Sequence, residues 1–158
     1  MKQDNSEIII RKATEKDLSA VQRIIKQAFS VYLPRMGKKP FPMLDDYAAH
    51  ITNDSLYVLE VAGEIRGAIT LIVLKNGNLS LENLGVHPEW QKRGYGKKLI
   101  RFAESEAKKR KCPALELYTN EVMGENIVWY QRLGYKIIKR GEDQGYMRVY
   151  FIKNFLQY

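Results

Sequence analysis

The sequence predicts a mixed α/β domain, and three observations carry that reading. Runs rich in branched residues recur at Leu56–Ala62, Ile65–Leu74, Leu79–Val86 and Ala114–Thr119. Other stretches return their apolar residues at helical spacing, first at Leu18, Val21, Ile25 and Ala28, then at Tyr95, Leu99, Phe102, Ala103 and Ala107. Tight-turn signals at Gly63-Glu64 and Asn76-Gly77 join consecutive strands. The resulting order is β-α-α-β-β-β-α-β-α-β-β.

Each element has a local reason. Ile8–Arg11 is a short first strand, and Thr14-Glu15-Lys16-Asp17 resembles a capping box that opens the first helix. That helix is expected to end before Pro34, with Tyr32–Pro42, three prolines and a glycine, as irregular loop. A short helix is expected around Met43–Ile51. In the strand Leu79–Val86 the alternation changes phase: Leu79 and Leu81 share one parity, Leu84 and Val86 the other. A β-bulge between Glu82 and Gly85 produces such a slip, and so does a strand buried on both faces. A long helix follows over Gly94–Arg110, then the strand Ala114–Thr119 and a helix over Glu125–Leu133. Gly134 stands where a left-handed cap is wanted. Tyr135–Lys139 and Tyr146–Phe151 close the chain as a hairpin pair.

Composition bounds the function. At 158 residues, 45% hydrophobic and 28% charged, the chain is the size of one domain and is neither disordered nor collagen-like. No repeat or linker divides it, so residues 1–158 read as a single domain. Its longest apolar run, Ala68–Leu74, is far below the ~20 residues of a membrane span. Met1–Ser6 shows no export signal, and the single Cys112 excludes an internal disulfide, which together read as a soluble cytoplasmic protein. The two histidines, His50 and His87, lack metal-ligand spacing, so no metal is expected. His50 shows no sequence partner, His87 reads as a loop residue, and Cys112 as packing. Net charge is +8, with nine Lys or Arg between Lys92 and Lys111, so an anionic partner is in view. The basic run Lys108–Lys111 lacks the interleaved aromatics of a nucleic-acid surface and reads as a solvated helix end.

The chemistry lies in Leu84-Gly85-Val86-His87-Pro88-Glu89-Trp90-Gln91-Lys92-Arg93-Gly94-Tyr95-Gly96-Lys97. A strand ends at Val86, a loop turns at Pro88, and glycines stand where a helix begins. Free N–H groups at a helix start, with the helix dipole, suit a diphosphate, and Lys92, Arg93 and Lys97 add charge. A Walker A loop fails because Lys98 follows Gly96-Lys97, and a dinucleotide fingerprint fails because Leu99 replaces its third glycine. What remains is Gln-x-x-Gly-x-Gly over Gln91–Gly96.

This segment resembles the diphosphate loop of the GNAT superfamily of acetyl-CoA-dependent N-acetyltransferases, down to the preceding Leu84-Gly85-Val86-His87-Pro88. A second stretch, Tyr130-Gln131-Arg132-Leu133-Gly134-Tyr135, is similar to that family's Tyr-x-x-Leu-Gly-Phe/Tyr. The resemblance implies a mostly antiparallel sheet flanked by helices, whose bulged central strand splays from its neighbour to admit the cofactor arm. It implies acetyl-CoA as acetyl donor and direct attack by a primary amine. Backbone groups of Leu84, Gly85 and Val86 would hold the pantetheine, and Gln91, Lys92, Arg93, Gly94, Tyr95, Gly96 and Lys97 the diphosphate. Tyr130 would protonate the thiolate, its phenol being a ready donor with a pKa near ~10. The alternative is a packed aromatic beside Trp129.

Glu82, on the cofactor strand, is the candidate base, with Glu116 and Glu60 as rivals. Where the family often has an asparagine this chain has Met123, leaving Asn126 and Asn120 as amides for the pantetheine. Asn126 equally reads as a cap for its helix. The acceptor is an amine-bearing small molecule or peptide, entering past Tyr32–Pro42, the second helix and the Gly141–Tyr146 hairpin. Tyr32, Phe41 and Tyr47 line that pocket or belong to the core. Dimers are common in families of this kind, so a homodimer is open. The alternative function is a non-catalytic acyl-CoA sensor on the same fold.

Overall fold

The structure, a computed structural model, describes residues 7–155. Met1–Ser6, on which the absence of an export signal was read, lies outside the described residues. The strands are β1 (Ile8–Lys12), β2 (Leu56–Val61), β3 (Glu64–Val73), β4 (Leu79–Val86), β5 (Ala114–Asn120), β6 (Lys136–Asp143) and β7 (Tyr146–Asn154). The helices are α1 (Leu18–Phe29), α2 (Leu33–Met36), α3 (Tyr47–Thr52), α4 (Tyr95–Lys109) and α5 (Gly124–Arg132). The strands form one sheet in the order β1-β2-β3-β4-β5-β7-β6. Pairing is antiparallel for β1-β2, β2-β3, β5-β7 and β7-β6, and parallel for β4-β5. The mixed, mostly antiparallel α/β fold is therefore as expected. Two compact units make up the chain, Met1–Thr70 with Asn83–Phe102 and Leu71–Glu82 with Ala103–Tyr158.

In the first unit, helices cover both sheet faces. Val21 and Ile25 of α1 and Tyr47 of α3 share a core with Leu56 and Val58 of β2 and Ala68 of β3. The opposite parity meets α4: the Tyr57 ring lies 5.0 Å from that of Phe102, and a Cβ on Gly67 would come within 3.1 Å of Leu99. Each fully buried aliphatic side chain here is worth about 1.5–3 kcal/mol. The β2-β3 turn uses left-handed backbone at Ala62 and Gly63, one residue earlier than the Gly63-Glu64 signal suggested.

The segment before α3 differs from the expected loop. Pro34 sits inside α2, in the first turn, where its missing N–H costs nothing, and Gly37 ends that turn at φ +67°. Phe41–Met43 forms a further single turn, and α3 starts only at Tyr47, because the Asp46 side chain accepts the Ala49 N–H at 3.0 Å. Tyr47 is core, 3% exposed, with its hydroxyl donating to the Pro42 carbonyl.

The capping box is present, and it is tied to the sheet. Asp17 accepts the Thr14 N–H at 2.8 Å and receives a two-pronged bond from Arg11, at 2.7 and 3.0 Å. Arg11 also donates to Glu60 on β2, at 2.8 Å from Nε. The Arg11 hydrogen bond, then the Thr14 amide, hold the Asp17 carboxyl below its ordinary pKa against the opposing effect of burial. Asp17→Asn is expected to cost about 2 kcal/mol, less than a fully buried pair because Arg11 is partly solvated. A lowered folded-state pKa means stability that is present at neutral pH and lost as pH falls through that value. Urea midpoints of parent and variant should therefore converge in strong acid.

In the second unit, β4 pairs with β5 over Leu79–Leu81 and Leu115–Leu117, three of its eight residues. Leu79, Ser80 and Leu81 are all buried, and a strand buried on both parities is enough to explain the phase change read from the sequence. β7 lies between β5 and β6, and the β6-β7 hairpin turns at Gln144-Gly145, both left-handed. Gly134 adopts φ +96° beyond α5, as expected of a cap. Beside it the Tyr135 hydroxyl donates to Glu104 at 2.7 Å, and Lys153 bonds both Glu104 and the Leu133 carbonyl. Burial, then Glu104, push the Tyr135 phenol well up, so it stays a protonated donor.

Candidate active site

Within the first unit, the segment from Leu84 to Lys97 is a closed local construction. After β4 the chain makes a single turn, Pro88–Trp90, capped by His87: its Nδ1 accepts the Glu89 N–H at 3.1 Å, a structural role as read from the sequence. Gln91 folds back to donate from Nε2 to the Val86 carbonyl at 3.0 Å. Lys92 (φ +64°) and Gly94 (φ +85°) then reverse the chain into α4. The first bond of that helix runs from Lys98 N–H to the Gly94 carbonyl, so the amides of Tyr95, Gly96 and Lys97 precede the intrahelical ladder. Gln91, Lys92, Arg93, Gly94 and Lys97 are exposed around them, whereas the Tyr95 ring is buried and packs 6.1 Å from Trp90. Trp90 is itself flanked by the guanidinium groups of Arg66 at 4.4 Å and Arg93 at 4.6 Å. Such a loop presents oriented N–H donors and cations to an anion.

On β4, Leu84 is half-buried and Gly85 and Val86 are buried. Gly85 packs closely on α1, and a Cβ there would stand 2.7 Å from Ile25 Cδ1, so the Ile25 side chain would have to shift.

The second unit holds the remaining candidates. Tyr130 is 6% exposed, with its ring 5.2 Å from Trp129, 5.5 Å from Phe151 and 6.2 Å from Tyr135. Asn126 does not cap α5. Met123 occupies the cap position, and Asn126 turns its amide back to the Met123 sulfur at 3.6 Å, as does Thr119 with its hydroxyl at 3.5 Å. Asn120 closes the preceding turn by accepting the Val122 N–H at 3.0 Å.

The three carboxylates differ in how far they are committed. Glu60 accepts from Arg11, and Glu116 accepts from Asn76 at 2.9 Å and Asn78 at 2.7 Å, locking the β3-β4 turn. Glu82 accepts from Ser80 at 3.1 Å.

Sequence reasoning missed one cluster. His50 has partners: its Nε2 lies 2.8 Å from Asp45 and its Nδ1 3.3 Å from the Ser55 hydroxyl. Asp45 also accepts from Asn83 of β4 at 2.7 Å. The available signal was the five-residue spacing of Asp45, His50 and Ser55 across a short helix; nothing in the sequence ties them to Asn83. Cys112 is buried at the end of α4, and Lys108 and Arg110 engage Phe155 and Glu106 locally.

Residues 52–137, just over half of the chain, match the acetyltransferase (GNAT) domain. The chain belongs to the GNAT acetyltransferase family. This GNAT domain is 25% identical over 96 residues to the uncharacterized N-acetyltransferase YvbK of Bacillus subtilis (strain 168), a match spanning 61% of this chain and 62% of that relative. Its fold is that of the PaiA N-acetyltransferase of Thermoplasma acidophilum, solved in complex with coenzyme A: the TM-score is 0.80 at 18% identity, over 94% of this chain and 99% of that one. The ribosomal-protein-S18-alanine N-acetyltransferase of Escherichia coli gives 0.75 at 17% identity, over 94% of each chain. Naa50 of Arabidopsis thaliana, solved with a bisubstrate analogue, gives 0.69 at 16% identity, over 94% and 99%. No described helix of this GNAT domain is long and apolar enough to cross a membrane.

Proposed function

We propose that this GNAT domain transfers an acetyl group from acetyl-CoA to a primary amine by direct attack of the amine on the thioester. The observation that carries the reading is the Gln91–Gly96 loop, whose left-handed Lys92 and Gly94 present the unpaired first amides of α4 amid exposed cations. That donor set fits a diphosphate. Coenzyme A or a bisubstrate analogue in the solved complexes of two fold neighbours supports the same choice.

The roles follow from what the reaction needs. Backbone groups of Leu84, Gly85 and Val86 hold the pantetheine and polarise the carbonyl, and the amide of Asn126 or Asn120 is the side-chain candidate for the same arm. The amine must shed a proton before or during attack, and Glu82, the least committed of the three carboxylates, takes it through water. As the carbon–nitrogen bond forms and the carbon–sulfur bond breaks, Tyr130 gives its proton to the departing sulfur. The acceptor is an amine-bearing small molecule or peptide. Among the fold neighbours, one is named for acetylating an alanine of ribosomal protein S18. The protein works in the cytoplasm.

Calorimetric titration with acetyl-CoA, followed by a thiol-release screen of amines, tests the reading. Binding and thiol release with an amine support it; no acetyl-CoA binding overturns it.

A further inference from the structure

Asn83 lies between Glu82 and Leu84 on the cofactor strand and is 2% exposed. Its amide nitrogen donates to Asp45 Oδ2 at 2.7 Å, and its carbonyl oxygen is buried with no hydrogen-bond partner. Asp45 dictates that orientation. Its Oδ2 also faces His50 Nε2, and its Oδ1 accepts the Asp46 N–H at 2.8 Å. Burial alone would raise the Asp45 pKa, but the bonds from His50, Asn83 and the Asp46 amide hold it below its ordinary value. An ionised carboxylate only accepts, so the Asn83 NH2 must turn toward it and the carbonyl must turn away.

A second orphan stands on the same face. Thr70 of β3 is fully buried and its hydroxyl is likewise without a partner. Thr70 pairs with Leu56, which packs with Ala68 in the core under α1 and α3. Gly85, two residues from Asn83, also faces α1, where a Cβ would meet Ile25, Ala28 and Phe29. Adjacent strands thus turn unsatisfied oxygens toward one side, and the Asn83 amide adjoins a half-buried carboxylate. Leaving such groups unmet is costly, and native interiors hold few of them. A ligand bringing N–H donors and positive charge would satisfy both features.

We propose that the side-chain carbonyl of Asn83, aimed by Asp45, is the hydrogen-bond acceptor that receives the acceptor amine as its ammonium form. This rests on the acetyltransferase reading and assigns to that reaction an amine-binding residue. The oxygen is closed to solvent, so the amine arrives with a shift of the segment leading to Asp45, which carries only the single turns α2 and Phe41–Met43.

The test uses the full nitrogen-15-labelled chain saturated with coenzyme A, with n-butylamine as probe and N,N,N-trimethylbutylammonium as a cation without N–H donors. Butylamine should shift the Asn83 side-chain amide resonance and the quaternary cation should not. Asn83→Leu should weaken butylamine binding about tenfold or more. Calorimetric affinity for coenzyme A should stay unchanged. If the leucine variant does not fold, Asp45→Asn replaces it: with an amide at 45 the Asn83 carbonyl loses its fixed direction, and butylamine affinity should fall about threefold or more. No shift at Asn83, equal response to both cations, or unchanged butylamine affinity in the folded variant overturns the proposal. A parent chain that fails to bind coenzyme A sinks the acetyltransferase reading itself, which is a separate result.

Discussion

Tyr130→Phe is expected to lower kcat about 100-fold while leaving the affinity for acetyl-CoA unchanged. The substitution removes one oxygen and keeps the ring that packs among Trp129, Tyr135 and Phe151, so the α5 core should survive. Removal of one buried hydroxyl costs about 1 kcal/mol of stability, too little to unfold a domain. What the variant cannot do is supply a proton to the sulfur as the carbon–sulfur bond breaks. Stopped turnover with intact binding is the signature of a missing acid, and it also separates an enzyme from an acyl-CoA sensor. Steady-state kinetics beside calorimetry decides it. A variant as fast as the parent would return Tyr130 to the role of a packed aromatic.

Much of this fold was legible because local signals agreed with one another. Gly134 stood one position beyond a helical run and adopts the left-handed backbone expected there; Thr14 and Asp17 framed a helix start and bond each other. The segment Tyr32–Pro42 misled because three prolines were read as breakers. Pro34 instead occupies a first turn, where a missing N–H has no consequence. Of the two roles open to Asn126, the cap is the one the structure removes. Its type favours a cap, but the helix begins at Gly124 and the Met123 sulfur draws the amide backward. Of the candidate site, the loop was readable because its chemistry is contiguous in sequence. The Asp45-His50-Ser55-Asn83 cluster was not, since it joins β4 to a helix more than thirty residues earlier, and no periodicity encodes such a contact.

Gly94→Glu should weaken acetyl-CoA binding about 100-fold, and Gly94→Ala separates the causes. Gly94 holds φ +85°, and any side chain there costs about 1–2 kcal/mol of backbone strain. Space is not the obstacle, because a Cβ at 94 meets nothing within 4 Å. The alanine variant therefore reports strain alone, as lost stability and a modest loss of affinity. The glutamate adds a carboxylate at the mouth of the loop. At ~5 Å from a phosphate charge and an effective dielectric of about 20, that repulsion is about 3 kcal/mol, which accounts for most of the hundredfold loss. It also neutralises part of the charge set by Lys92, Arg93 and Lys97. A glutamate variant that binds like the alanine one would mean the diphosphate lies elsewhere. The free amides of α4 would then be only a helix end facing water.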